Sequence, residues 1–509
     1  MKLIGIFKTD HEFKNIILIF FASFYFPVFA QIEGNGSDST NDYEKYKKLI
    51  NREFADYKEN IDKEFADYLK QKWQAFDIYK DEKIGSDKPK PSEQPKAPEQ
   101  DTIGINDNKP KNEIEVPIVE PKPIKPKPEQ TPLPKPCPIK EPTVVQNKSC
   151  NVNYLGYNFS FSYNPMIDFP LKGNANYDIA DAWSFLNDGN YQVLLNDLLN
   201  TKNKYNLNDW AYFELVNKVS TQIFSNSKEK QTILTWFLLN KSNYLTRIAK
   251  QGEGIALLIA YTENIYNHSY IEIDGVKFYF IYEPDENKQP YTYAKNYSSA
   301  TRKIDANINK PILFASNNTK KTLSYKYGCK TYFLNVDYNK NAISFYKSLP
   351  FFDIPIYADA LPSVNLEYSL ISEVKKLVEG KSEKLAVDMI LQFVQKAFKY
   401  KTDQDQFGVE KYFFAEELFH YEFSDCEDRS VLFAYLVRKV LGLKVVGLIY
   451  PGHMATAVKF TSNVNGDYIT YEGTQYVVCD PTYVGAHIGM AMPEYKKVNA
   501  TIVPLKNIK

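Results

Sequence analysis

Cys426, His453 and Asp480 follow one another at intervals of 27 residues and are the three side-chain types that a thiol acyl-transfer site requires. A thiolate attacks an acyl carbon, an imidazole holds and returns the proton, and a carboxylate orients the imidazole. Cys426 sits in the acidic tetrad Asp425-Cys426-Glu427-Asp428, at the mouth of an apolar run ending at Gly442. Ser424 as N-cap with Glu427 three residues on predicts a capping box and a helix start. The first turn of a helix favours an anion, which lowers a thiol pKa. Glu427 and Asp428 oppose that effect, so a base is needed, and His453 is the candidate. The acidic neighbours are read as helix-start chemistry, and no metal ligand set or cofactor site is expected.

The elements that must bring the three together are legible in outline. After the helix, LKVVGLIY reads as a strand, PGHMATAVKF turns at Pro451-Gly452 and begins a second strand at His453, and Asn465-Gly466 signals a hairpin. GTQYVVCDPTY then ends in Asp480-Pro481. A helix start, a strand start and the end of the next strand meet at one edge of an antiparallel sheet packed on the helix. Cys479 is expected to point away from the site, because strand neighbours alternate faces. His420 and His487 are the other histidines available to line a cleft.

The motifs SDCEDRSVLFAYLVR, YPGHMATAV and VVCDPTY resemble the Cys, His and Asp motifs of the transglutaminase-like superfamily, over roughly Lys384 to Pro493. The resemblance implies a papain-like core in an α+β fold, with Cys426 as nucleophile, His453 as general base and acid, and Asp480 as orienting carboxylate. The family's oxyanion-hole side chain has Gln404 and Gln406 as candidates here, and the backbone N–H of Cys426 is a further donor.

An upstream stretch repeats the pattern without the chemistry. Thr232–Ile248 aligns with Ser430–Val446 at an offset of 198 residues, which also places Gly254 under Gly452 and Gly275 under Gly473. At that offset Lys228, Ile255 and Tyr282 stand where Cys426, His453 and Asp480 should be. Two papain/transglutaminase-like domains are therefore expected: a degenerate one over 149–289 and a catalytic one over 362–509, joined by a β-rich segment over 290–361. The later copy carries about 24 extra residues before its helix, roughly Lys401 to Asp425.

The rest of the chain suggests export and interaction. Lys8 and Lys14 precede an apolar run from Ile16 to Ala30; at about 15 residues it is short for a membrane span, so 1–30 reads as a signal peptide. Residues 42–83 repeat with a period of 11, aligning Phe54, Phe65 and Phe76 in one column and Tyr57, Tyr68 and Tyr79 in another. That period predicts one long helix with an aromatic stripe, available to an envelope partner or to its own copies. Fifteen of the 28 prolines fall in 84–148, which reads as a semi-rigid spacer. With Lys plus Arg and Asp plus Glu both at 62, nucleic-acid binding has no electrostatic basis. Five cysteines (Cys137, Cys150, Cys329, Cys426, Cys479) are too few for a disulfide scaffold, and the lack of a CxxC pair argues against a structural zinc site. The expected function is an exported thiol hydrolase acting on amide or peptide bonds of a protein substrate. A transamidase that resolves the thioester with an amine, and a non-catalytic envelope scaffold, are the alternatives.

Overall fold

The computed structural model describes residues 39–81, 89–98, 146–189 and 191–508. The expected signal peptide, Cys137 and most of the proline-rich stretch lie outside them. The chain divides into two compact units, 1–65 and 66–509. Helix α1 runs Ser39–Leu69, shorter than the expected 42–83. The last aromatic repeat instead forms two short strands, β1 (Gln74–Ala75) and β2 (Tyr79–Lys80), which extend opposite edges of a seven-stranded sheet. Phe76 and Ile78 stand at the strand period of two and pack on the sheet core. Sheet edges offering unpaired backbone groups override the helical period here.

A β-hairpin, β3 (Lys148–Tyr154) and β4 (Tyr157–Tyr163), opens the next region. Four helices follow: α2 (Asn176–Asp188), α3 (Gln192–Lys204), α4 (Asp209–Ile223) and α5 (Lys228–Lys241). Strands β5 (Thr246–Gln251), β6 (Gly254–Ala260), β7 (Ser269–Ile273), β8 (Val276–Phe280) and β9 (Tyr291–Thr292) complete the first sheet, in the order β1-β9-β5-β6-β8-β7-β2. The connecting segment is not purely β. It carries a long hairpin, β10 (Asn318–Tyr327) with β11 (Lys330–Asn339), then helices α6 (Lys340–Tyr346) and α7 (Ile354–Ala358).

The last region starts with α8 (Val364–Val378) and α9 (Glu383–Ala397). Strands β12 (Lys399–Tyr400) and β13 (Phe423–Ser424) pair in parallel and close the base of the extra segment, which holds α10 (Asp403–Phe407) and α11 (Glu417–His420). Helix α12 (Cys426–Leu436) continues as a π-helical turn over Val437–Leu441 and is capped by Gly442 at φ +68°. The second sheet comprises β14 (Lys444–Tyr450), β15 (His453–Lys459), β16 (Tyr468–Tyr471), β17 (Thr474–Cys479) and β18 (Thr501–Pro504). Its order is β16-β17-β15-β14-β18. The hairpin turn is Glu472-Gly473, between β16 and β17; Asn465-Gly466 lies in the longer loop before β16. The whole is a mixed α+β structure with antiparallel sheets.

Five strands of the first sheet match the five of the second. β7-β8-β6-β5-β9 repeats as β16-β17-β15-β14-β18, and α5 and α12 begin 198 residues apart at Lys228 and Cys426. The register refines the expected alignment. Gln251 pairs with Gly254 around one hairpin and Tyr450 with His453 around the other, an offset of 199. Tyr270 pairs with Tyr279, and Tyr468 with Val477, so the offset is back to 198 in the last two strands. The topological counterpart of His453 is thus Gly254, not Ile255. A π turn takes up one residue more than an α turn, and the Val437–Leu441 turn accommodates the extra one. Asn243 (φ +69°) and Gly442, the left-handed residues after the two helices, already stand 199 apart. Arg438 anchors that turn: it is buried, and its guanidinium contacts Asp359 Oδ1 at 2.5 Å and the Lys506 carbonyl at 2.6 Å.

Candidate active site

Helix α12 is buried along nearly its whole length, and Glu427 is the only half-exposed residue in its first turn. It packs on β14 and β15, and Ser430 Oγ donates to the Met454 carbonyl at 3.2 Å. This places Cys426, its first residue, beside the start of β15. The capping residue is Asp425 rather than Ser424, and the residue reaching back is Asp428: the Asp425 N–H donates to Asp428 Oδ2 at 3.1 Å. Ser424 is held in β13 opposite Tyr400, and its hydroxyl accepts from Arg429 Nε at 3.2 Å. Tertiary pairing therefore moves the helix start one residue along, with Asp428 reaching back while the Asp425 carboxylate makes no cap bond of its own. Glu427 is released to face the thiol: Cys426 Sγ donates to its Oε2 at 3.0 Å.

His453 and Asp480 meet as expected. Cys479, the last residue of β17, pairs with Thr456 of β15. The next residue, Asp480, thus falls opposite Ala455, on the face that His453 shares by the strand's period of two. His453 Nε2 lies 2.8 Å from Asp480 Oδ2, both side chains being buried. Asp480 Oδ1 accepts from the backbone N–H groups of Thr482 and Tyr483 at 2.9 and 3.1 Å. Those bonds leave Oδ2 to take an Nε2 proton, and in a neutral ring so bonded Nδ1 is the acceptor. His453 Nδ1 is buried and makes no hydrogen bond. Tyr495 stacks on the imidazole with ring centroids 5.0 Å apart and planes inclined by 16°. The thiol hydrogen is directed at Glu427, so the Cys426–His453 hydrogen bond is not made in this arrangement.

Burial, and next the Glu427 carboxylate, push the Cys426 thiol well above its ordinary value. That reverses the direction expected from a helix start alone: desolvation outweighs the dipole. Cys426 has no exposed surface and His453 is 3 % exposed.

The cover comes from an element that sequence reasoning treated as a spacer. Lys90 reaches into the acidic tetrad, its ammonium 2.7 Å from Asp425 Oδ2, 2.7 Å from Glu427 Oε2 and 2.5 Å from Glu410 Oε1. Asp403 lies 3.9 Å away. The carboxylates of Asp403, Asp425 and Asp428 form one group compact enough to hold a cation, and those of Glu410, Asp425 and Glu427 another; the second encloses the Lys90 ammonium. Burial alone would raise the Glu427 carboxyl, but Lys90 and local hydrogen bonds bring it down to about 2. Asp403, with less help, is pushed up to about 6 by burial, chiefly against the pull of Lys90.

Gln395 of α9 also escaped sequence reasoning. Its amide donates to the Asp480 and Ala486 carbonyls at 2.9 and 3.0 Å and accepts from the Gly485 N–H at 3.0 Å, fixing the loop that holds Asp480. Arg429 donates to the Gln395 and Phe398 carbonyls and so ties α12 to α9. Of the oxyanion-hole candidates, Gln404 is exposed and Gln406 half-buried on α10. His487 pairs with Asp388 at 2.8 Å, and His420 packs against Tyr338 and Tyr421, so each has its own structural partner. Cys479 is buried with its Sγ on the Val477 carbonyl. In the first sheet, Lys228 instead lies over the ring of Tyr282 at 5.1 Å. Comparisons with protein-family models, with curated proteins and with solved structures find no match to this chain.

Proposed function

We propose that the chain is an exported, cysteine-dependent amide or peptide hydrolase of transglutaminase-like type, working through an acyl-thioester at Cys426. The observation that carries this reading is the buried His453 with Nε2 on Asp480 and Nδ1 unpartnered, beside the helix start that presents Cys426. In this reading Nδ1 takes the thiol proton as Sγ attacks the acyl carbon, and the imidazolium is stabilised by Asp480. The collapsing tetrahedral adduct expels the amine, which receives that proton. Water then attacks the thioester, losing a proton to His453 and regenerating the thiol. The Cys426 N–H, at the helix N-terminus, is the donor available to the oxyanion. The apolar run at Ile16–Ala30, preceded by lysines, supports export.

An activated acyl ester tests the reading. Peptide mapping should find the acyl group on Cys426 in the full chain, with acylation slowed at least ~10³-fold in His453→Ala, the order of loss expected when the base is removed. Acylation that is independent of His453, or that settles on Cys329, would sink the proposal. Incorporation of a fluorescent amine into acceptor proteins would reassign the resolving step from water to an amine.

A further inference from the structure

We infer that residues 89–98 are an intramolecular strap occupying the polypeptide groove of the Cys426 site, and that the groove's substrate is an extended chain anchored by a protonated lysine in the Glu410–Asp425–Glu427 pocket. The inference rests on the reading of Cys426 as nucleophile and adds what the site receives and what restrains it.

The contacts run along the segment in order. Lys90 fills the acidic pocket with its side chain 11 % exposed. The Pro91 carbonyl accepts from Tyr400 Oη at 2.8 Å. Gln94 Nε2 donates to the carbonyls of Gln395 and Thr482 at 3.1 and 3.2 Å. The Val484 N–H donates to the Pro95 carbonyl at 2.9 Å, and the Ala97 N–H donates to the Val484 carbonyl at 2.8 Å, a parallel bridge centred on Lys96 and Val484. Ala97 packs on the cluster of Tyr483, Ala486 and Met492.

This is how a groove reads an extended peptide: main-chain hydrogen bonds supply affinity, and one side-chain pocket supplies selectivity. Pro91, Pro95 and Pro98 restrict the segment's backbone before docking, so little conformational entropy is lost on docking. Its two ends lie on the two parts of the machinery, the carboxylates flanking Cys426 and the loop that follows Asp480. A lysine ammonium between three carboxylates stays charged, so it serves as an anchor and not as a nucleophile. Glu427 Oε2 accepts from both Lys90 and the Cys426 thiol, so the strap's anchor and the thiol hydrogen meet on one carboxylate oxygen.

The test uses the full chain and reads the strap apart from catalysis. In Lys90→Glu, the Val484 and Ala97 amides should exchange with solvent at least ~10-fold faster, as expected for a contact that opens locally. Iodoacetamide should label Cys426 faster by a similar factor, with exposed Cys329 unchanged. Adding the peptide PKPSEQPKAP (residues 89–98) should restore the protection of the Val484 amide and of Cys426, whereas the same peptide with the Lys90 position changed to Ala should not. Unchanged Val484 exchange in Lys90→Glu, or failure of the lysine-bearing peptide to restore it, overturns the inference. Should buried Cys479 also become reactive in that variant, Gln94→Ala, which leaves the carboxylates paired, decides: faster Val484 exchange supports the strap and an unchanged rate rejects it. A strap that opens on a Cys426 unable to take an acyl group would reject the hydrolase reading and leave the docking intact.

Discussion

The two sheet regions share a scaffold and differ in what is built on it. In the first, α4 and α5 are joined by a short turn, Phe224 to Ser227, and Ser227 caps α5 through its hydroxyl on the Lys230 N–H. In the second, the equivalent connection runs from Phe398 to Asp425 and brings Asp403, Glu410, Glu416 and Glu417 with it. Glu416 ties the insertion to the connecting segment, accepting from the Asn339 N–H, the Ser363 N–H and the Ser363 hydroxyl at 2.6–2.9 Å. The helix and its sheet do not need the triad, since the first region assembles the same elements with Lys228, Gly254 and Tyr282, all exposed, at the corresponding positions. The proposed chemistry is an addition to a scaffold whose elements also assemble without it.

The sharpest way to break that comparison is to mutate the first residue of each helix. Cys426→Ala should abolish acyl transfer entirely and cost on the order of 1 kcal/mol of stability, as for a small buried truncation. Lys228→Ala should leave acyl transfer unchanged and cost no more than about 0.5–1 kcal/mol, the worth of an exposed cation–π contact. Kinetics with the activated ester and chemical denaturation of both variants supply the numbers. Loss of activity in Lys228→Ala would mean that the first region contributes to the site.

How far the sequence carried this comparison depends on which residues are asked. The helix starts, the strand alternation and the order Cys426, His453, Asp480 were legible because they rest on local pattern. The one-residue slip that pairs His453 with Gly254 was not, because apolar residues match at either register and a π turn leaves no distinct spacing. The shift of the helix start from Ser424 to Asp425 was not legible either, because it follows from the β13 pairing and from Arg429. Lys90 was hidden more deeply. Its neighbours read as a solvated spacer by composition, and its partners lie more than 300 residues along the chain. The extra residues before α12 were visible as a length difference, but a carboxylate's role as an enclosing wall follows from tertiary position alone.

Those carboxylates should give the second region a pH dependence beyond the one that buried Glu214, its carboxyl also raised by burial, gives the first. Asp403 has its folded-state carboxyl pushed up to about 6 by burial, against about 3.9 in an unfolded chain. A raised carboxyl binds its proton more tightly when folded, so its contribution to stability is fully present below pH ~4 and is lost as pH rises through about 6. Across that window Asp403→Asn should flatten the stability gradient by on the order of 2 kcal/mol. Hydrogen exchange of the α12 and α5 amides at pH 4.5 and 7 resolves the regions. A gradient at α12 that survives the substitution would assign it to other groups.

The smallest expected effect tests whether the shared scaffold is energetically shared. Asp274-Gly275 and Glu472-Gly473 close corresponding hairpins with positive φ at both positions, +51° and +74° in one and +50° and +67° in the other. That is the pattern of a type I′ turn, which suits the twist of the flanking strands and favours glycine. A Cβ at either glycine would meet nothing within 4 Å, so the cost of alanine is backbone strain alone, about 1 kcal/mol. Gly275→Ala and Gly473→Ala should therefore lose equal stability by chemical denaturation, within a few tenths of a kcal/mol. An excess loss at Gly473 would show that the β16–β17 hairpin carries strain from holding Asp480 in place. Its counterpart, with Tyr282 at that position, has no such demand.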